Sequence, residues 1–172
     1  MSIFNSLLNV QPVSRVRRNH GLEHATLNIL AEQHPHLHLA GHSDMEGFWV
    51  IGDVSTEDLA NAVDLALARM NAGESDLAIH PNCGTNFVTA GAAAGLTAWL
   101  VMLTSGRGLR QKLERLPLVI SLATLALIAA QPLGLLVQAR VTTSGVPGGL
   151  QVTQIMAGNQ GRLKSHRVVT RG

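Results

Sequence analysis

Apolar residues recur at helical spacing over residues 14–33, which predicts an amphipathic helix. Ser14 is a candidate N-cap, and His34 should end the helix because the residue before a proline avoids helical backbone. The apolar positions are Val16, Leu22, Ala25, Leu27, Ile29 and Leu30. The preceding residues 1–13 lack the basic start and cleavage site of a signal peptide, so we expect a retained amphipathic element.

Alternation of apolar and polar residues follows at 36–40, and a second strand-like run occupies 47–54. This pattern predicts two strands joined by a hairpin loop at 41–46. A second helix is predicted to begin after Ser55, a residue type favoured at N-caps, and to end at Gly73. Its apolar stripe is expected to pack on the sheet and consists of Leu59, Val63, Ala66, Leu67 and Met70.

Two long stretches without charge dominate the second half of the chain, residues 87–103 and 116–137. Both are long enough to cross a hydrocarbon core of roughly 30 Å, so we expect a two-helix transmembrane hairpin. The connecting loop 104–115 is basic through Arg107, Arg110, Lys112 and Arg115. The positive-inside rule favours a cytoplasmic loop. Export of a folded domain without a signal sequence is unfavourable, so we expect the N-terminal domain on the cytoplasmic side.

The remaining chain, residues 139–172, is predicted to be a linker and a small β tail. Strand patterns at 150–156 and 165–170 flank a Gly/Asn turn and predict a hairpin. The fold class expected is therefore an α+β domain over residues 1–86, a transmembrane helical hairpin over 87–138, and this tail.

Composition supports a membrane protein. Charged residues are 14% and hydrophobic residues 46% of the 172, with a mean hydropathy of +0.20. Aromatic residues are 3% with no tyrosine, which argues against single-stranded nucleic-acid binding by stacked rings. The single cysteine excludes an internal disulfide.

Two clusters of side chains carry candidate chemistry. In the first, His20 and His24 lie one turn apart on the predicted helix, and Glu23 directly precedes the second histidine. This His-x-x-Glu-His order is the inverzincin pattern, in which two imidazoles bind a metal ion and the carboxylate activates water.

The second cluster follows a short strand predicted at 77–79. It contains His80 and Cys83 in a loop rich in Pro and Gly, which suits a further ligand. Cys83 is the candidate third ligand. His80 either binds the metal as well or orients the site through a hydrogen bond.

Together the strings His-Gly-x-Glu-His and His-Pro-x-Cys-Gly-Thr-x-Phe resemble the signature of uncharacterised bacterial integral-membrane families with a domain of unknown function. The resemblance covers about residues 15–105 and implies a membrane protein with a metal site. The order of helix, hairpin, helix and strand also resembles, more weakly, the first part of pitrilysin/insulysin-type peptidases. The glutamate ligand of that family has no counterpart here, since Glu74 stands too close to the motif.

These observations predict a membrane-anchored, zinc-dependent hydrolase of peptidase type, with another divalent metal as an alternative to zinc. His20, His24 and Cys83 would bind the metal, Glu23 would act as the base, and His80 would polarise or orient. The alternative is a non-catalytic metal-binding membrane protein that assists a larger complex. The lipid bilayer is the expected partner, and nucleic acid is not. The small-residue face at Gly91 and Gly95 should pack against the other span, with homo-oligomerisation as the less favoured use.

Overall fold

The structure, a computed structural model, describes residues 3–161 and 163–172. The chain forms two compact units, Met1–His80 with Ala139–Gly172, and Pro81–Gln138. The first unit is a mixed α+β fold with one sheet, and the second consists of two long apolar helices. At this level the fold class expected from the sequence is confirmed.

The first unit contains three helices, a 3-10 turn and four strands. The helical elements are α1 (Ile3–Leu8), α2 (Gln11–Gln33), α3 (Thr56–Asn71) and the 3-10 turn Ser75–Ala78. The strands are β1 (Ala40–Ser43), β2 (Gly47–Ile51), β3 (Gln151–Gln160) and β4 (Leu163–Arg171). The sheet order is β1-β2-β4-β3, and all neighbours are antiparallel.

Helices α2 and α3 belong to the same buried core as one face of the sheet. Phe48, Val50 and Val168 from β2 and β4 are fully buried in this core. The apolar stripes predicted for both helices supply its other side. Ser55 caps α3 as expected, because its hydroxyl accepts a hydrogen bond from the Asp58 backbone N–H at 3.0 Å.

Several element boundaries differ from the prediction. Helix α2 begins at Gln11 rather than after Ser14, because Pro12 is compatible with the first helical turn, where a missing N–H costs nothing. Strand β1 begins at Ala40, where pairing with β2 starts, so the strand predicted at 36–40 is wrong in all but its last residue. The strand predicted at 77–79 is wrong, because a 3-10 turn occupies most of it.

The C-terminal hairpin is longer than expected and belongs to the main sheet. Strand β4 pairs with β2 on one side and β3 on the other. Residues 139–172, described from the sequence as linker and tail, therefore contribute two of the four strands. Gly161 in the connecting turn has φ +64°, a left-handed conformation that favours glycine.

The second unit consists of α4 (Gly84–Leu103) and α5 (Leu109–Val137), which pack against each other. Both helices are long and apolar enough to cross a membrane, and no residue of α4 is buried. The expected loop 104–115 is too long, because α5 starts at Leu109 and includes most of its basic residues. A Cβ added at Gly91 or Gly95 would meet no described atom within 4 Å, so α5 does not pack on that face.

Candidate metal centre

One face of α2 carries a polar stripe whose members lie three or four residues apart: Arg17, His20, His24 and Asn28. Each of these side chains contacts backbone carbonyl groups from distant parts of the chain. Two pieces of backbone are held in this way, residues 77–79 and residues 140–143. The stripe therefore fixes the segment before His80 and the segment after α5.

Both imidazoles of the stripe are oriented through Nδ1. His24 Nδ1 lies 2.8 Å from the carbonyl oxygen of Ala78, and His20 Nδ1 lies 3.0 Å from that of Thr142. Because a carbonyl oxygen can only accept, each Nδ1 must carry the proton. In the neutral ring the lone pair then lies on Nε2. Metal-binding histidines commonly have this arrangement, with one ring nitrogen donating to a carbonyl and the other binding the ion.

The histidine rings lie at distances that suit shared coordination. The ring centroids of His20 and His24 are 4.3 Å apart, and those of His24 and His80 are 5.7 Å apart. Two imidazoles bound to one tetrahedral zinc ion would place their centroids roughly 5 Å apart, given zinc–nitrogen bonds of about 2 Å. The spacing of His24 from each of the other two rings is therefore compatible with one shared ion.

Glu23 is held in the interior of the domain. It is 3% exposed, and it is the only carboxylate among the buried residues that the structure describes. Its Oε2 accepts a hydrogen bond from the Ser43 hydroxyl on β1. A Cβ at Gly41 would overlap the carboxylate, so glycine at this position allows Glu23 to pack directly on β1. The carboxylate thus has a fixed orientation, one residue before His24.

Cys83 occupies the N-cap position of α4 and is 6% exposed. Its sulfur accepts a hydrogen bond from the backbone N–H of Thr85 at 3.4 Å. The positive end of a 20-residue helix favours negative charge, which a zinc-binding thiolate carries. Cys83 follows His80 by three residues, so chain length alone keeps their Cα atoms within roughly 11 Å.

Among the described residues, the candidate metal ligands are His20 and His24 in the first unit and Cys83 in the second. His80 lies beside His24, and Glu23 is fixed by Ser43. This His/Cys group is the chemical feature that the fold presents.

The role of residues 139–145, which we call the exit segment because they follow α5, was not predicted from the sequence. The Ser144 backbone N–H donates to the Arg17 carbonyl at 2.9 Å. A Cβ at Gly21 would overlap the Ser144 carbonyl oxygen, so only glycine fits this approach. The glycine inside the His-Gly-x-Glu-His string was the available signal, because glycine often marks close backbone contact.

The fold and the His/Cys group define a mixed α+β protein with two long apolar helices and a candidate metal site. Residues 15–155 match the model of a family described as a domain of unknown function, DUF6391. The chain belongs to this family. The matched region includes both sequence motifs.

The chain is also similar to an uncharacterized protein of Picosynechococcus sp. (strain ATCC 27264 / PCC 7002 / PR-6). The two are 41% identical over 100 residues, which cover 50% of this chain and 48% of the relative. The chain therefore spans about half the length of this curated relative. No solved structure matches the chain at a significant level.

Proposed function

We propose that this protein is a membrane-anchored, zinc-dependent hydrolase of peptidase type. The observation that carries the proposal is the buried carboxylate of Glu23, which lies one residue before His24 on the helix that carries both imidazoles of fixed tautomer. Burying a carboxylate is costly, so a buried carboxylate one residue before a histidine of the metal-binding type is a candidate functional group. A purely structural helix face would gain more from an apolar residue at this position.

In this proposal His20, His24 and Cys83 hold the metal through two Nε2 atoms and a thiolate. The donor set fits zinc, which takes imidazole and thiolate ligands, although other divalent metals share it. When bound, zinc supplies Lewis-acid polarisation of water and of a substrate carbonyl. Glu23 accepts the proton of the attacking water, and the Ser43 hydroxyl holds its carboxylate in position.

His80 has two roles that lead to different functions. As an orienting group beside His24, it leaves one metal position open for water and substrate, as in catalytic zinc sites. As a fourth ligand, it closes the site and favours the second candidate, a non-catalytic metal-binding factor that stabilises a larger complex. The 5.7 Å distance between the ring centroids of His24 and His80 is the observation that supports this second candidate function.

The hydrolase proposal is tested by measuring zinc content and peptide cleavage on the full-length protein purified in detergent. We expect about one zinc ion per chain and cleavage of some members of a fluorogenic peptide library, abolished by a chelator and restored by zinc. One zinc per chain without cleavage of any peptide would favour the non-catalytic factor. Absence of stoichiometric metal would contradict both.

We further propose that α4 and α5 form a transmembrane hairpin in a bacterial cytoplasmic membrane, with the metal domain in the cytoplasm. The support is the length and exposure of both helices. Arg140 follows α5 by three residues in the chain, and Arg17 donates a hydrogen bond to its carbonyl oxygen, so the segment after the second span is also basic. Their charge offsets the positive-inside signal of the basic residues between the spans.

Alkaline carbonate should leave the full-length protein in the membrane pellet, because two apolar spans resist extraction. Release of the intact protein into the supernatant would refute the hairpin.

Sidedness is measured with single cysteines at Gln111 and Ser75 in a Cys83→Ser background. An impermeant thiol reagent applied to intact cells should label position 111 and not position 75, and the opposite result would place the metal domain outside.

A further inference from the structure

We propose that Arg17 is a positioning residue for the metal centre, and that it acts by holding the exit segment against His20. The inference rests on the proposed metal site. It goes beyond that proposal by making the backbone after the second apolar helix a part of the site. Arg17 itself does not touch the metal in this proposal.

Arg17 contacts two carbonyl groups that lie before and after, in the chain, the carbonyl that orients His20. Arg17 Nη2 donates to the carbonyl oxygens of Arg140 at 3.2 Å and Thr143 at 2.9 Å. The carbonyl between them in the chain, that of Thr142, accepts the hydrogen bond from His20 Nδ1. One guanidinium therefore holds the backbone on both sides of Thr142, whose carbonyl sets the tautomer and direction of the imidazole.

The carbonyls involved are those that a helix end leaves without helical partners. A π-helical turn, Gln138–Thr142, continues α5, and the last carbonyls of a helix need donors from elsewhere. Arg17 and His20, three residues apart on α2, supply two of these donors. Without Arg17, the carbonyls would turn toward water, and the Thr142 carbonyl would lose its fixed direction.

The close approach at Gly21 supports the same conclusion independently. The Ser144 carbonyl lies where a Cβ of residue 21 would be, and the Ser144 N–H donates to the Arg17 carbonyl. The exit segment is thus pressed on α2 between the two metal-ligand histidines. A side chain at position 21 would clash with the Ser144 carbonyl oxygen and should therefore displace the exit segment from α2.

The cost of placing Arg17 here also argues for a specific role. Burial lowers the pKa of the Arg17 guanidinium from its ordinary value, so the protein favours the charged group less at this site than in water. No carboxylate is within ion-pair distance among the residues that the structure describes. Backbone carbonyls are its partners, which matches a role in fixing backbone rather than pairing charge.

The test compares metal binding by full-length variants in detergent: Arg17→Ala, Arg17→Lys and Gly21→Ala. We expect Arg17→Ala and Gly21→Ala each to weaken zinc binding about 10–100-fold, the range for residues that orient metal ligands. Arg17→Lys keeps the charge but lacks the second guanidinium nitrogen, Nη1, which donates to the Leu8 carbonyl oxygen in the wild type, so it should fall between Arg17→Ala and the wild type. Arg15→Ala is the matched control, because Arg15 lies on the same helix and donates to the Thr170 carbonyl of β4 at 2.8 Å.

Cobalt(II) provides a readout that a purely structural role would not change. Its visible absorption depends on the number and geometry of ligands, so a mispositioned His20 should alter the spectrum of Arg17→Ala at saturating cobalt. A variant that is only less stable would bind less tightly yet give the wild-type spectrum, and this result would overturn the inference. Zinc affinity of Arg17→Ala equal to that of Arg15→Ala would overturn it as well.

His24→Ala separates failure of this inference from failure of the metal site. If the wild type binds zinc and His24→Ala does not, the metal site stands, and the Arg17 variants decide the inference alone. If His24→Ala binds zinc as tightly as the wild type, the metal site itself is wrong, and the inference falls with it.

Discussion

Replacing Cys83 with serine is expected to lower the zinc affinity of the full-length protein by more than about 100-fold, a larger loss than residues that merely orient ligands cause. Serine is nearly isosteric with cysteine, but its neutral hydroxyl is a poor zinc ligand. Cys83 is also the N-cap of α4, a position that serine favours. The substitution therefore removes the ligand and keeps the start of the helix.

Zinc affinity is measured by competition with a chromophoric chelator, and stability by thermal unfolding with and without chelator. A ligand at about 100 times its Kd adds about 2.7 kcal/mol of stability, so the wild type should lose stability on chelation and Cys83→Ser should not. Cys83→Asp is the informative control, because aspartate both caps helices and binds zinc. It should recover part of the affinity. Wild-type affinity in Cys83→Ser would remove Cys83 from the ligand set.

Replacing Glu23 with glutamine should leave zinc content unchanged and lower the hydrolysis rate by about 10²–10⁴-fold, the usual contribution of a general base. Glutamine keeps the size of the side chain and an oxygen that can accept from Ser43. The neutral amide also avoids the cost of burying a carboxylate, so stability should not fall. The measurement is the rate of chelator-sensitive peptide cleavage alongside metal content.

Glu32→Gln is the matched control for this prediction. Glu32 lies on the same helix, but its side chain is 63% exposed and pairs with Arg69 at the surface. Its substitution should leave both metal content and rate unchanged. A Glu23→Gln protein that retains zinc and the full rate of cleavage would rule out Glu23 as the base and favour the non-catalytic factor.

Local sequence signals predicted some elements well and others poorly, for physical reasons. Ser55, the acidic first turn and Gly73 are short-range signals, so both ends of α3 were predicted to within two residues. Strand β1 was predicted at the wrong residues, because its limits depend on pairing with β2. The alternation at 36–40 does not specify that pairing. The pairing of β2 with β4 joins segments more than one hundred residues apart, and alternation does not specify which strands pair.

The candidate site also has features that the sequence predicts and features that it does not. The positions of His20 and His24 on one helix face follow from their spacing alone, and the structure brings their rings together. Their partners, the carbonyls of Ala78 and Thr142, could not be predicted, because any residue type supplies a carbonyl. The packing of Glu23 on Gly41 likewise depends on tertiary contact between α2 and β1.

The strand order β1-β2-β4-β3 has a consequence for biosynthesis. Strand β4, one of the two neighbours of β2, is translated more than one hundred residues after it. During synthesis, the edge of β2 that later pairs with β4 lacks this partner while both apolar helices are being made. Unpaired strand edges are prone to aggregation and attract chaperones and proteases. A chain interrupted before β4 would therefore keep this edge of β2 unpaired, and we expect such chains to be recognised by quality control.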